Sequence, residues 1–165
     1  MAETLREIVE RVRAISYGRN TNRSPDDVLV EGRGTCSTKH GLLARLLAAR
    51  PEVGLELVHR VYRLDRAGAR RLFGEEAARL IPEEGLVDVH TYATVVIDGR
   101  RTIVDVTFPS DSSWDGVSDM PLACGPGTDV PATADPWVQK QALVAEHCDQ
   151  AVREAFIAAL SAQHD

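Results

Sequence analysis

Cys36 is the residue of this 165-residue chain best placed to act as a nucleophile. It lies in Gly32-Arg33-Gly34-Thr35-Cys36-Ser37, just before a stretch in which Leu42, Leu43, Leu46 and Leu47 recur at helical spacing and Pro51 marks the end. Thr35 is a good N-cap, which makes Cys36 the first residue inside the helix. Orphan N–H groups and the positive end of the helix dipole favour a thiolate there, the reactive form of cysteine. Gly32 and Gly34 allow close backbone approach and leave the sulfur uncovered. The plainer alternative is a small buried side chain that begins a core helix.

A thiolate nucleophile needs an imidazole to activate it and protonate the leaving group, and a third group to hold that imidazole. His90 and Asp105 fit these roles through a hairpin. Residues 87–97 and 100–108 read as two strands joined by Asp98-Gly99, a strong two-residue turn signal. That turn sets Ile97 opposite Arg100, so Tyr92 lies opposite Asp105 and His90 opposite Thr107. With a strand period of two, His90 and Asp105 share a face as diagonal neighbours, about 7–8 Å apart between backbones. The Cys36 backbone N–H is one candidate donor to an oxyanion.

The remaining elements must position these groups. Thr4 to Glu7 is a capping box, and Leu5, Ile8, Val9, Val12 and Ile15 form one apolar stripe. Residues 17–22 read as a polar loop. Ser24-Pro25-Asp26-Asp27 opens a short helix ending near Gly32. Residues 55–64 read as a strand and 66–80 as a helix interrupted by Gly68 and Gly74. Residues 109–136 hold five of the eight prolines and read as irregular. A last helix over about 136–162 carries Val144, Cys148, Val152, Phe156 and Leu160, with Cys148 in its core stripe. Cys124 is expected to be incidental. Arg19 and Asn20 in the polar loop and Trp114 in the irregular segment are candidate substrate-binding residues. Their alternatives are a solvated loop and a core anchor.

Length and composition bound the rest. One domain over 1–165 is expected, with a core at about 31–109. A net charge of −6 and scattered arginine pairs argue against nucleic acid as a partner. No apolar run approaches the ~20 residues needed to span a bilayer. The first residues mix acids and arginines, unlike a signal or transit peptide. Three cysteines without paired spacing suit free thiols, so a cytoplasmic protein without membrane contact is expected.

The glycine-flanked cysteine, the strand beginning His90-Thr91-Tyr92-Ala93-Thr94-Val95 and the segment Ile103-Val104-Asp105-Val106-Thr107-Phe108-Pro109 together resemble the transglutaminase-like superfamily. Tyr17-Gly18-Arg19-Asn20 ahead of Gly34-Thr35-Cys36-Ser37-Thr38-Lys39-His40 is similar to a small bacterial single-domain branch of it. The resemblance implies an α+β, papain-like fold, with the helix that starts at Cys36 packed on an antiparallel sheet and helices at both ends. It implies Cys36, His90 and Asp105 as a catalytic triad for acyl transfer or amide hydrolysis through a thioester, on a small-molecule or peptide substrate. It implies no cofactor and no metal. The chain is too short for the extra domains of arylamine N-acetyltransferases, so acetyl-CoA is not expected. Val30 and Glu31 stand where papain-like peptidases keep an oxyanion-donating glutamine, which weakens a peptidase assignment.

Two other readings compete with an enzyme. A non-enzymatic binding module would keep the fold without the chemistry. A zinc site would use Cys36, His40 and His90, His40 lying one helical turn after Cys36. For His40 itself a buried role bonded to backbone is favoured. Lys39 is expected at the surface or bonded to a loop.

Overall fold

The computed structural model describes residues 2–164 and is α+β, with seven helices and six strands among them. The sequence reaches the site through an N-terminal helical arm. Helix α1 (Leu5–Arg13) has the expected capping box on Thr4 and buries Ile8, Val9 and Val12. Strand β1 (Ser16–Tyr17) follows, then α2 (Pro25–Glu31), which has Ser24 as N-cap and Pro25 in its first turn. Gly32 closes α2 in the left-handed region at φ 68°, a conformation that favours glycine. Strand β2 (Arg33–Gly34) pairs parallel to β1, setting Tyr17 beside Gly34 two residues before the cysteine. Helix α3 (Cys36–Leu47) then begins at Cys36 with Thr35 in the N-cap position.

The main sheet is antiparallel with the order β5-β4-β3-β6. Strands β3 (Gly54–Leu64) and β4 (Leu86–Ile97) pair along their whole length. Strand β5 (Arg100–Val104) returns through Asp98-Gly99, both at positive φ (50° and 76°), the combination that two-residue hairpins require. The register is Ile97↔Arg100 through Ala93↔Val104, as the turn dictates. The ladder stops at Val104, earlier than the expected 108. There Asp105 turns its carboxylate onto the Thr107 N–H at 3.0 Å, and the chain leaves the sheet.

Between β3 and β4 the chain forms α4 (Arg66–Phe73) and α5 (Glu75–Arg79), broken at Gly74 (φ 94°) and not at Gly68. The segment 109–136 is not wholly irregular, because β6 (Gly127–Pro131) adds to the free edge of β3. The single C-terminal helix expected over about 136–162 is two, α6 (Pro136–His147) and α7 (Gln150–Gln163). Cys148 is extended (ψ 144°) and Asp149 caps α7 by accepting from the Val152 N–H, so a new N-terminus interrupts the apolar stripe.

Two apolar clusters divide along the strand period. Val95 and Val104 join α1 and α3, whereas Tyr62, Leu64 and Leu86, on the opposite face, join residues of α4, α5 and α7. No helix among the described residues is long and apolar enough to cross a membrane.

Candidate active site

Cys36 occupies the first turn of α3, where the first N–H groups have no intrahelical partner. The close approach that brings the chain there requires Gly34. A Cβ at that position would meet Lys39 Cγ and Thr38 Oγ1, each at 2.8 Å. The Thr35 N–H donates to Thr38 Oγ1 (2.9 Å), which itself donates to Asn20 Oδ1 (2.7 Å). The loop before the cysteine is thereby tied to the helix that follows it.

His90 and Asp105 meet as the hairpin geometry requires. His90 Nε2 lies 2.7 Å from Asp105 Oδ2, and both side chains are buried. The carboxylate also accepts from the Thr107 N–H and hydroxyl and from the Ala123 N–H (2.9 Å). Burial works against its charge, but the facing His90 and these donors hold its pKa far below the ordinary carboxylate range. Burial likewise opposes charging His90, and Asp105 overrides it, pushing the imidazole well above its ordinary value. The His90 charge also acts on the Cys36 sulfur and is supported by it in turn. For Cys36, burial raises the pKa. The Lys140 ammonium, His90 and the Thr91 backbone N–H outweigh it and hold the thiol well below its ordinary range. Both shifts run in the direction that favours a thiolate beside an imidazolium.

Lys39 and His40 are the staples of this arrangement. Lys39 is fully buried rather than on the surface, and its Nζ donates to the carbonyls of Arg13 (3.0 Å), Ile15 (2.5 Å) and Thr107 (3.0 Å). Burial lowers its pKa to about 7. His40 is also fully buried. Its Nδ1 lies 2.7 Å from the Cys36 carbonyl and its Nε2 accepts from the Val106 N–H at 3.1 Å. That pairing fixes a neutral ring with the proton on Nδ1, as burial also favours. Both ring nitrogens are engaged with backbone, so His40 has no lone pair to offer the zinc expected of Cys36, His40 and His90. The described residues contain no cluster of three or more metal-ligating side chains. What His40 does is set the spacing between the cysteine turn and the strand end carrying Asp105.

Lys140, on α6, belongs to no motif in the sequence. Its Nζ lies 3.1 Å from Cys36 Sγ and 2.7 Å from Ser37 Oγ, and the residue is 3% exposed. It is the only buried residue of α6. The available signal was its position between Trp137 and Leu143-Val144 on the helix's apolar stripe, where a lysine has to find a partner.

Cys36, His90 and Lys140 line a cleft of about 280 Å³. Arg19 and Asn20 both line it, as expected, but each is engaged. Arg19 pairs with Glu154, and the buried Asn20 amide donates to Glu31 Oε2 (2.8 Å) and the Arg33 carbonyl (2.7 Å). Asn20 is therefore a tether for the wall and not a free contact. Trp114 does not line the cleft. It is buried in the α1–α3 cluster, with its indole N–H on the Ser118 carbonyl at 2.8 Å, and the core-anchor alternative holds. Trp137 takes the cleft position instead. Arg153 and Asp88 form a buried ion pair in the wall at 2.7 Å. Cys124 is buried and burial raises its thiol pKa. Cys148, at the break between α6 and α7, is half-buried and raised to about 11 for the same reason. Of the three free thiols, Cys36 alone is shifted toward the thiolate. Set against protein-family models, curated proteins and solved structures, the chain has no match.

Proposed function

We propose that the protein is a cysteine-dependent acyltransferase or amide hydrolase of the transglutaminase-like, papain-like kind, working through a thioester on Cys36. The single observation that carries this reading is the buried His90–Asp105 pair, 2.7 Å apart, together with a helix-N-terminal cysteine whose thiol pKa Lys140 and His90 push down. Nothing in a merely structural cysteine requires a charged imidazole beside it.

In this scheme the Cys36 thiolate attacks the substrate carbonyl carbon, forming the S–C bond while the carbonyl π pair moves to oxygen. The adduct collapses by breaking the bond to the leaving group, which takes the proton held by His90. The now neutral His90 accepts a proton from water or an amine as that nucleophile attacks the thioester, and Cys36 leaves as thiolate. Asp105 keeps its charge throughout and supports the imidazolium. The three free thiols suit a reducing, cytoplasmic setting.

Intact mass spectrometry after incubation with an activated ester tests the reading. A single acyl adduct is expected, mapped to Cys36, lost in Cys36→Ala and formed far more slowly in His90→Ala. Wild-type protein that stays unmodified, or is modified equally at Cys124 and Cys148, would contradict it.

A further inference from the structure

We propose that the Lys140 ammonium is the second oxyanion donor of this site, moving its hydrogen bond from the Cys36 sulfur to the substrate oxygen as the adduct forms. The inference rests on the acyl-transfer reading. It adds a catalytic residue that comes from the C-terminal side of the triad, on a different element from the nucleophile.

The geometry is specific. Lys140 Nζ is 3.1 Å from the sulfur that attacks, and the oxygen that receives the negative charge is only two bonds beyond that sulfur. Ser37 Oγ, 2.7 Å from Nζ, steadies the ammonium over the first turn of α3. The Cys36 N–H lies in the same first turn, without an intrahelical partner, and is the other donor in this scheme. One backbone N–H and one side-chain cation thus converge where charge develops.

The electrostatics require something of this kind. Lys140 is 3% exposed, and the Cys36 sulfur, 3.1 Å away, is the group placed to balance its charge. When the S–C bond forms, the sulfur becomes neutral and the electron pair arrives on the carbonyl oxygen. A lysine that stayed with the neutral sulfur would be a buried cation without an anion, which is strongly unfavourable. Following the charge by a small swing keeps the ion pair intact through the transition state. The helix supports the same role. In α6 the only buried residue is this lysine, so the helix contributes little else to the interior. Its first turn is pinned in place by the Pro136 carbonyl on His59 Nε2 (3.1 Å) and by Gln139 Nε2 on the Pro131 carbonyl (2.9 Å).

A counter-ion and an oxyanion donor are separated by comparing two reactions of the same sulfur. Alkylation by iodoacetamide is a displacement that develops no oxyanion, whereas acylation by p-nitrophenyl acetate does, and its leaving group needs no acid. Each rate is expressed per thiolate, using the ultraviolet absorbance of the thiolate to correct for any change in its population. Lys140→Met should lose roughly 100- to 1,000-fold in acylation beyond any loss in alkylation. Lys140→Arg, which keeps a buried cationic donor, should recover part of it. If Lys140→Met does not fold, Ser37→Ala replaces it, because it frees Nζ from its support and should lower acylation more than alkylation. Equal losses in both reactions would make Lys140 a counter-ion only and overturn the inference while leaving the acyl-transfer reading intact. Wild-type protein that alkylates readily yet never acylates would overturn both.

Discussion

Lys39 illustrates how much of this site is held by single side chains that never touch the reacting atoms. Its ammonium has three hydrogens, and three backbone carbonyls from two distant segments accept them. A neutral amine, with two, would leave one carbonyl bare. Replacement by methionine keeps the shape and strips all three partners. Since an unsatisfied buried polar group costs about 1–3 kcal/mol, Lys39→Met should lower stability by on the order of 3 kcal/mol at pH 6, where the ammonium is present. Denaturant unfolding would measure it, and a change under about 0.5 kcal/mol, the range of an ordinary surface substitution, would mean that the carbonyls find water instead. At this scale the placement of Cys36, His90 and Asp105 was legible and their supports were not. Cys36, His90 and Asp105 follow from a capping position and a hairpin register, both local rules. Lys39 and Lys140 are charged residues whose burial depends on which distant backbone or thiolate they reach, and composition cannot reveal that.

Among the elements, the β4–β5 hairpin was readable because two positive-φ residues fix its register. Strand β6 was not. Gly127 to Pro131 has no apolar alternation, and it is tolerated as a strand because it lies at the edge of the sheet, where a proline interrupts no inner ladder. The C-terminal stripe ran on past Cys148 in sequence, and the cap at Asp149 divided it. The separate α6 has a dynamic consequence. With Lys140 as its one buried residue, it should exchange amide hydrogens faster than α3, which buries Leu42, Leu43 and Leu47. Alkylating Cys36 breaks the 3.1 Å contact between its sulfur and Lys140 Nζ, so exchange in α6 should rise further while α3 stays protected. Hydrogen exchange read by mass spectrometry on parent and alkylated protein checks this. An α6 as slow as α3, and indifferent to alkylation, would mean that other contacts hold it.

At the scale of the whole molecule, the charged site couples to folding. The folded sulfur gives up its proton at a lower pH than the unfolded thiol, whose pKa is about 8.5. Between those two values the unfolded chain binds the extra proton, so stability due to Cys36 rises with pH and then levels off. The stability of the parent relative to Cys36→Ser should therefore increase as pH climbs toward about 8.5 and flatten above it. Denaturant unfolding across a pH series would follow the difference. A difference that is flat from pH 5 to 9 would place the thiol at its ordinary pKa in the folded chain.

The most direct test of the central claim, a thiolate–imidazolium pair at Cys36 and His90 supported by Asp105, is the alkylation rate of all three cysteines across pH, resolved by site. Cys36 should react fast well below the pH at which Cys124 and Cys148 begin to react, since burial raises both of those thiols. His90→Ala should move the Cys36 profile toward that of a free thiol. Asp105→Asn should move it part of the way, because the imidazole stays but its charged form loses its partner. A Cys36 that reacts no faster than the other two, with a profile indifferent to His90→Ala, would contradict the account.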